Sequence, residues 1–261
     1  MSDGQITPPI WLMREPRERT GGLNRKTIGR AAVALADADG LHGLTLRAVA
    51  RQLDAAPMSL YRYIQNKDGL FDLMLDEVLA EVATSPAPMR NWRVDVTAVA
   101  RAMWGMVNRH LWYARVVHLR PPAGPNSCRI QEFLLATFVE QGVDLPTAST
   151  YRRLIDGHVL GIALEQATIP QVGLSGAAEE KQIRQVARQW WPEGPADGDY
   201  PLLGELMSGF MAGSDPGLSW PDPGTRFELG LEFLLDGIGQ QIEGEQLEGK
   251  QVEGRRRDPK A

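Results

Sequence analysis

The 261-residue sequence has few of the residues that build disulfide frameworks, metal centres or membrane spans. It contains one cysteine, Cys128, so no disulfide can form within the chain, and this cysteine usage is typical of a reducing compartment. Its four histidines lack the short spacings that hold a structural zinc ion. No apolar run approaches the ~20 residues that a membrane helix requires, and the N-terminus does not resemble a secretory signal. We therefore expect a cytoplasmic protein without cofactor, metal or membrane span.

The sequence does contain an ordinary share of hydrophobic residues, 43%, together with an uneven distribution of charge. Residues 1–67 carry ten Lys and Arg against six Asp and Glu, a balance of +4, whereas the remainder carries 18 against 27, a balance of −9. A basic N-terminal module on an acidic body favours a DNA-binding head on a body that binds a ligand or a protein. Because the basic excess is small, non-specific DNA affinity should be weak and sensitive to salt.

Residues 44–67 carry the pattern of two short helices joined by a tight turn. An apolar stripe at helical spacing runs from Leu46 to Leu53, and Thr45 precedes it as a suitable N-cap. Pro57 suits the first turn of a second helix, 57–64, whose outward face is polar and aromatic. This arrangement is typical of a helix-turn-helix, although any helical hairpin in an all-α protein produces similar stripes.

The flanking residues make this stretch resemble the TetR/AcrR family of transcriptional regulators. The likeness covers about residues 23–80, and its clearest parts are Leu44-Thr45-Leu46-Arg47-Ala48-Val49-Ala50, Ser59-Leu60-Tyr61-Arg62-Tyr63-Ile64 and Asn66-Lys67-Asp68-Gly69-Leu70. It departs at Asp54, where the family usually has a glycine that ends the helix in a left-handed conformation. Because Asp tolerates that conformation better than most residues, the turn should survive. Roughly residues 90–168 resemble, more loosely, a tetracycline-repressor-type C-terminal domain.

Helix geometry suggests roles for residues in the head. Thr45 and Lys67 stand at helix N-termini, which favour a phosphate, and Arg47 faces outward with a side chain suited to a guanine edge. The ring of Tyr61 is ambiguous, because it suits either the phosphates or a position beneath the helix. Combined with the contacts that the resemblance implies, the candidate DNA-binding residues are Thr45, Arg47, Pro57, Met58, Ser59, Tyr61, Arg62, Tyr63 and Lys67.

Helical periodicity without strand-like alternation predicts an all-α protein, with a three-helix head joined by a linking helix to a helical body. The predicted divisions are a flexible arm at 1–22, the helix-turn-helix domain at 23–67, the linking helix at 68–84, a ligand-binding and dimerisation domain at 85–243 and a disordered tail at 244–261. Arginines 14, 17 and 19 of the arm belong either to a solvated tail or to a segment that enters the minor groove. Residues 169–201 suggest an excursion, with a helix at 177–191, over either the pocket or the dimer partner.

Aromatic and apolar residues of the body are expected to converge between helices, with polar residues near the rim. Such a helical-bundle cavity suits a drug-sized hydrophobic ligand, although the same residues also suit a plain core, and His158 alone suits a satisfied core histidine. The candidate ligand-binding residues are Met103, Trp104, Val107, Trp112, Val116, Arg120, Asn126, Arg129, Phe133, Tyr151, Ile155 and His158.

The resemblance also implies a homodimer, in which residues 151–166 and 226–242 of each subunit form a four-helix bundle. The candidate dimer residues are Leu154, Ile162, Phe227, Leu231, Leu234 and Ile238. We expect a regulator, most naturally a repressor that a small hydrophobic molecule releases from double-stranded operator DNA. Two alternatives remain, a regulator controlled by a protein partner and an enzyme on a helical scaffold. The sequence disfavours an enzyme, since Gly173–Ala177 lacks the strand that a nucleophile elbow requires and no other catalytic motif is present.

Overall fold

A computed structural model describes residues 7–16, 23–82, 91–168, 200–212 and 222–257, with the single positions 84, 88 and 185. The side chains of residues 168, 207–212 and 245–257 are outside this description. Within the described ranges the chain forms ten α-helices, one short 3₁₀ turn and no strand, which confirms the all-α prediction. None of the helices in these ranges combines the length and apolar character needed to cross a bilayer.

The three helices of the head are followed by the linking helix. The head helices are α1 (Arg25–Gly43), α2 (Leu46–Gln52) and α3 (Pro57–Leu60), and the linking helix is α4 (Lys67–Leu79). Asn24, Thr45 and Asn66 cap α1, α2 and α4 by accepting a hydrogen bond from the backbone N–H three residues further on. Asp54, between α2 and α3, has φ = +48°, so it takes the left-handed conformation expected there.

The linking helix α4 ends at Leu79, five residues before the predicted boundary at residue 84. The N–H of Ala80 is shared between the carbonyls of Asp76 and Glu77, at 3.2 and 3.3 Å, which tightens the last turn. Turns then lead to Val82. The linking helix between the head and the body is therefore about four helical turns long.

The body is built around one long central helix. Its elements are α5 (Trp92–Arg109), α6 (Tyr113–Leu119), α7 (Pro125–Val139), α8 (Leu145–Thr168), α9 (Pro201–Ala212) and α10 (Pro223–Arg257). Helix α8 packs against α5, α6, α7 and α10, while α4 packs against α1 on one side and α5, α6 and α7 on the other. Because the apolar contacts run through α4, the head and the body share one continuous core.

The predicted flexible arm is wrong for residues 7–16, which lie on the protein surface. Ile10 is only 2% exposed, and its N–H donates to a carboxylate oxygen of Asp72 on α4 at 2.8 Å. Backbone carbonyls of Thr7 and Pro8 accept from the Arg120 guanidinium at 2.5 and 3.0 Å. We call residues 7–13 the N-terminal strap. The patterns used for the sequence did not reveal it, because one apolar anchor and backbone hydrogen bonds hold it in place.

The predicted disordered tail is also wrong over most of its length, because α10 continues to Arg257. Most residues of the repeats beyond Ile242 are Glu, Gln, Leu, Lys and Arg, which are good helix formers and offset the glycines. The remaining excursion predictions, for 169–199 and the helix at 177–191, fall outside the described residues apart from position 185.

Candidate DNA-binding surface and ligand cavity

One face of the head combines an exposed polar surface with a fully buried underside. Val49 and Ala50 of α2 and Leu60 and Ile64 beyond the turn are all 0% exposed, and this packing fixes the angle between the two helices. The predicted DNA-binding residues on the outer side are Thr45, Arg47, Pro57, Met58, Tyr61, Arg62 and Lys67, all exposed, and Ser59, half-buried. The apolar Met58 is 74% exposed, so nothing in the described subunit covers this face.

The two tyrosines that follow α3 have opposite placements. Tyr61 is 46% exposed, so its ring points outward instead of packing beneath the helix. Tyr63 is only 5% exposed, and its outward placement in the sequence analysis is wrong. The helix predicted for 57–64 ends at Leu60, and a turn over residues 61–63 follows it. In this turn the side chain of Tyr63 points into the core. The Tyr63 carbonyl also accepts from Arg25 Nε at 3.3 Å.

Two buried aspartates, one turn apart on α4, attach the head to the body. Asp72, 4% exposed, accepts hydrogen bonds from the Nε and a terminal nitrogen of Arg120 at 2.6 and 2.8 Å. This fork is the geometry in which Arg binds carboxylates most strongly, and it holds the end of α6 against α4. Because Arg120 also binds the N-terminal strap, one guanidinium joins the head, the body and the strap.

The second aspartate, Asp76, binds the N-terminus of α7. It accepts from the Asn126 N–H at 2.8 Å and from the side-chain amide of Asn126 at 2.9 Å. Burial raises the pKa of Asp76, and hydrogen bonds from the N–H groups of Ser127 and Asn126 partly offset the rise. A Cβ atom at Gly124 would lie 2.2 Å from the Asp76 Oδ1 atom, so this approach requires a glycine.

A second contact between the head and the body centres on His110, at the end of α5. Its Nδ1 atom lies 2.8 Å from a carboxylate oxygen of Asp37 on α1, and its Nε2 atom lies 2.9 Å from one of Glu81, just after α4. The Trp112 indole N–H also donates to Asp37 at 2.7 Å. Since carboxylates only accept, both contacts are hydrogen bonds when the imidazole carries two protons. This cluster ties α1 and α4 to the same body helix.

The body contains a cavity of about 340 Å³ between α5, α6, α7 and α8, close to the end of α4. Its size falls at the lower end of the range for small-molecule sites. Its walls are mostly apolar, and its polar groups include Tyr113, Gln131, Arg152 and Asp156. The full lining is Leu79, Met103, Tyr113, Val117, Pro121, Pro122, Ser127, Ile130, Gln131, Leu134, Arg152, Arg153, Asp156 and Leu160.

A larger groove of about 690 Å³ lies on the outside, between α5 and α10. Two ion pairs lie along it, Arg93 with Asp236 at 2.5 Å and Arg101 with Glu228 at 2.7 Å. A ligand in this groove would lie against charged side chains that are exposed to solvent, and it would bury little of its own surface. The smaller cavity, which is largely apolar, is therefore the better candidate for a drug-sized ligand.

The predicted ligand residues are mostly placed elsewhere, and Met103 is the one that lines the 340 Å³ cavity. Six belong to the packed interior, and Trp104 among them stacks on Phe227 with ring centroids 4.8 Å apart. His158 Nε2 donates to the Phe227 carbonyl at 2.8 Å, which is the core role weighed for it above. Arg120, Asn126 and Trp112 bind acidic side chains of the head. Arg129 is exposed beside Asn126. The six predicted ligand residues that belong to the packed interior are Trp104, Val107, Val116, Phe133, Tyr151 and Ile155.

Sequence reasoning missed the polar residues that do line the cavity. Arg152 and Asp156 form an ion pair one turn apart on α8, with side chains only 13% and 24% exposed. The sequence did offer a signal for them, because they are two opposite charges on a side of the helix that is otherwise buried. Burial raises the pKa of Asp156, while Arg152 and Arg153 lower it. Burial also raises the pKa of Tyr113, so its hydroxyl remains a neutral hydrogen-bond donor.

The predicted dimer residues divide into two groups. Phe227, Leu231 and Ile238 are at most 4% exposed and pack within their own subunit, so their assignment to an intersubunit surface is wrong for this subunit structure. The stripe on α10 was identified, but it faces inward. Leu154 on α8 is 49% exposed, and Ile162 and Leu234 are half-buried. The outward apolar residues of α10 are instead Leu229 and Phe233, 47% and 66% exposed.

Comparison with known proteins adds findings for both parts of the chain. Residues 28–74 match the family model described as bacterial regulatory proteins, tetR family, and residues 85–242 match the tetracyclin repressor-like C-terminal domain. The HTH-type transcriptional repressor DrrR1 of Streptomyces coeruleorubidus is 33% identical over 224 residues, 83% of this chain and 77% of that protein.

Solved structures of the regulator ActR from Streptomyces coelicolor are also similar. The apo form has a TM-score of 0.67 and 28% identity, and the comparison covers 84% of this chain and 98% of ActR. The form in complex with actinorhodin has a TM-score of 0.66 and 27% identity, covering 84% and 96%. The likeness therefore extends over head and body together.

Proposed function

The chain belongs to the TetR family of bacterial regulatory proteins, and from this premise we propose a homodimeric repressor that a small molecule releases from operator DNA. The observation that carries the proposal is the exposed polar face of α2 and α3 above a fully buried underside. The relative DrrR1 is named a transcriptional repressor, and ActR has been solved with a bound small molecule, actinorhodin. Both support the same role for this chain.

The residues of this face divide between positioning the head and reading the sequence. Thr45 and Lys67, in the first turns of α2 and α4, are placed to bind phosphates together with backbone N–H groups. Arg47 and Arg62 are exposed and long enough to reach base edges in the major groove. Tyr61 and Met58 add exposed apolar surface, which suits contact with sugars or thymine methyl groups.

Dimerisation is supported by an unpartnered face on α8 and α10. Leu154, Leu229 and Phe233 are exposed there, and large apolar side chains are costly to leave in water. A Cβ atom added at Gly161 or Gly237 would meet nothing within 4 Å, so a partner helix has room to approach. A two-fold dimer presents two heads, which matches an operator with two half-sites about 34 Å apart.

Release follows from the position of the cavity beside the loop between α6 and α7. Pro121 and Pro122 of this loop line the cavity together with Ser127 in the first turn of α7, and the adjacent Arg120 and Asn126 hold α4. A ligand that favours a different loop position shifts Asp72 and Asp76, and hence α4 and the head. Differential binding of ~1–3 kcal/mol between two head positions is enough to lower operator affinity substantially.

The proposal is tested by selecting binding sites from random double-stranded oligonucleotides with the full-length protein. We expect enrichment of a repeated half-site with centres one helical turn apart, about 10 base pairs. A single unrepeated site would contradict the dimer, and no enrichment would contradict the DNA-binding role. Repeating the selection with candidate small molecules then identifies those that abolish enrichment, and a control with Arg101→Ala, on the body surface, should give the same site.

A further inference from the structure

The polar lining of the 340 Å³ cavity offers more hydrogen-bond donors than acceptors. Arg152 uses one terminal nitrogen to bind Asp156, and a guanidinium has five N–H donors in all. Gln131 already donates its side-chain N–H to Ser127 Oγ at 2.9 Å. A ligand that satisfies this lining must therefore bring acceptor oxygens.

Tyr113 adds a buried donor to the same cavity. Its side chain is 2% exposed, and its ring packs near Trp112, with centroids 6.3 Å apart. Among the described residues its hydroxyl makes no hydrogen bond, although the residue lines the cavity. A ligand oxygen that accepts from this hydroxyl adds a hydrogen bond inside the cavity.

The charge of the lining determines which acceptor fits best. Arg152 and Asp156 are partly buried and form an ion pair, so the net charge of +1 in the lining comes from the exposed Arg153 and is partly screened by solvent. The chain as a whole has a net charge of −5, so this positive cavity is a local exception. A carboxylate compensates the charge and accepts two hydrogen bonds from one guanidinium, whereas a neutral carbonyl does not compensate it.

We infer that the effector is an apolar acid, with its carboxylate on Arg152 and Tyr113 and its hydrocarbon body against Met103, Ile130 and Leu134. This inference names the ligand class for the cavity and rests on the proposed function. The apolar walls determine how large a body fits, and the guanidinium determines the polar end. Acids of this kind bind better than their neutral amides, because the amide leaves the cationic lining uncompensated.

The experiment compares two matched probes, anthracene-2-carboxylate and anthracene-2-carboxamide, by isothermal titration calorimetry of the full-length protein at pH 7.5. We expect the acid to bind about tenfold more tightly than the amide. Arg152→Gln should remove this preference by weakening the acid alone. Tyr113→Phe should weaken both probes severalfold, because either carbonyl oxygen accepts from the hydroxyl. Arg93→Gln, on the outer groove, should leave both affinities unchanged.

Folding of the variants is checked by operator binding without a probe, which should be the same as for the wild type. Because Arg152→Gln leaves Asp156 without its partner, the double variant Arg152→Gln/Asp156→Asn repeats the test without this ion pair, and the exposed Arg153 is then the charged residue that remains in the lining. The inference is overturned if neither probe binds, if the acid binds no better than the amide, or if the preference persists in both Arg152 variants. Such a result with normal operator binding refutes the acid and leaves the repressor role intact, whereas failure of operator selection refutes the repressor role itself.

Discussion

The head presents its candidate DNA-binding side chains on the outside, whereas the candidate ligand cavity of the body lies between α5, α6, α7 and α8. In the head, Arg47 and Tyr61 contribute to an exposed surface, and the buried residues beneath them only hold its shape. In the body, Arg152 and Asp156 are part of the packing itself. The difference teaches that exposed residues of the head can be changed with little effect on stability, whereas a change in the cavity lining of the body also alters the packing around it.

The largest expected effect is an exception to this comparison, because the residue involved is exposed although it belongs to the body. Phe233→Asp places a charge on the outward face of α10, where the wild-type side chain is 66% exposed. We expect a monomer by light scattering and a fall in operator affinity of ~10²–10⁴-fold, since two linked heads bind far better than one. Val139→Asp, at another exposed apolar position, is the control, and a Phe233→Asp dimer with normal affinity would contradict the assigned interface.

The second prediction sharpens the comparison within the head. Arg47→Ala should weaken specific operator binding by about 1–3 kcal/mol per half-site, the value of a bidentate contact to guanine. Because Arg47 is exposed and makes no ion pair in the described subunit, the melting temperature and the dimer should not change. Competition assays against random DNA measure the specific part, with Arg101→Ala as the control. Unchanged specificity would show that Arg47 does not read bases.

The third prediction concerns the joint at which the two regions meet. Gly124→Ala puts a Cβ atom 2.2 Å from the Asp76 Oδ1 atom, so either α7 or the carboxylate must move. We expect a loss of about 1–3 kcal/mol in the free energy of unfolding, from urea titrations, and a smaller effect of ligand on operator affinity.

Gly105→Ala is the matched control for this joint, because its nearest neighbour would be an Arg109 nitrogen at an ordinary 3.5 Å. This helix position should be neutral or gain up to about 1 kcal/mol from the better helix former. Equal stability changes in the two variants would mean that the contact between Asp76 and α7 does not hold the regions together.

The smallest expected effect is a pH dependence at the second contact. Burial of Glu81 raises its pKa, but hydrogen bonds from His110 and Arg109 outweigh this and the net shift is downward from 4.5. The ionised group therefore stabilises the fold above that value, and the contribution is lost as the pH falls through the lowered pKa.

We expect Glu81→Gln to be less stable than the wild type at pH 7 by on the order of 0.5 kcal/mol, since the side chain is partly exposed. The difference should shrink in urea titrations between pH 5 and pH 3, that is, around and below the ordinary pKa of 4.5. A difference that is constant across this range would show that the ion pairs of Glu81 contribute nothing.

Sequence reasoning was accurate where local chemistry determines structure. The caps at Thr45 and Asn66, the left-handed Asp54 and the buried Leu60 all follow from residues within a few positions of one another. Tyr63 was misplaced because the helix ends earlier than its apolar pattern suggested. The predicted domain divisions in the body remain predictions, apart from the corrected strap and tail.

The cavity was not predictable to the same extent, because its lining depends on how distant helices rotate against one another. Trp104 and Phe133 are aromatic residues of the kind that lines pockets, but they lie in the packed core. Their spacing in the sequence fits both placements equally well. Arg120 was assigned to the cavity rim but binds Asp72, 48 residues away in the sequence. Such long-range pairing leaves no periodic signal in the chain.

The N-terminal strap has a practical consequence for attaching labels or fusion partners. Its backbone carbonyls at Thr7 and Pro8 are held by Arg120, the arginine that also grips α4. We therefore expect tension applied through a domain fused at that end to reach α4, the helix that links the head to the body. A reporter that should not alter the response to a ligand is better fused after the long α10 helix. A reporter that should detect this response is better fused before Pro8.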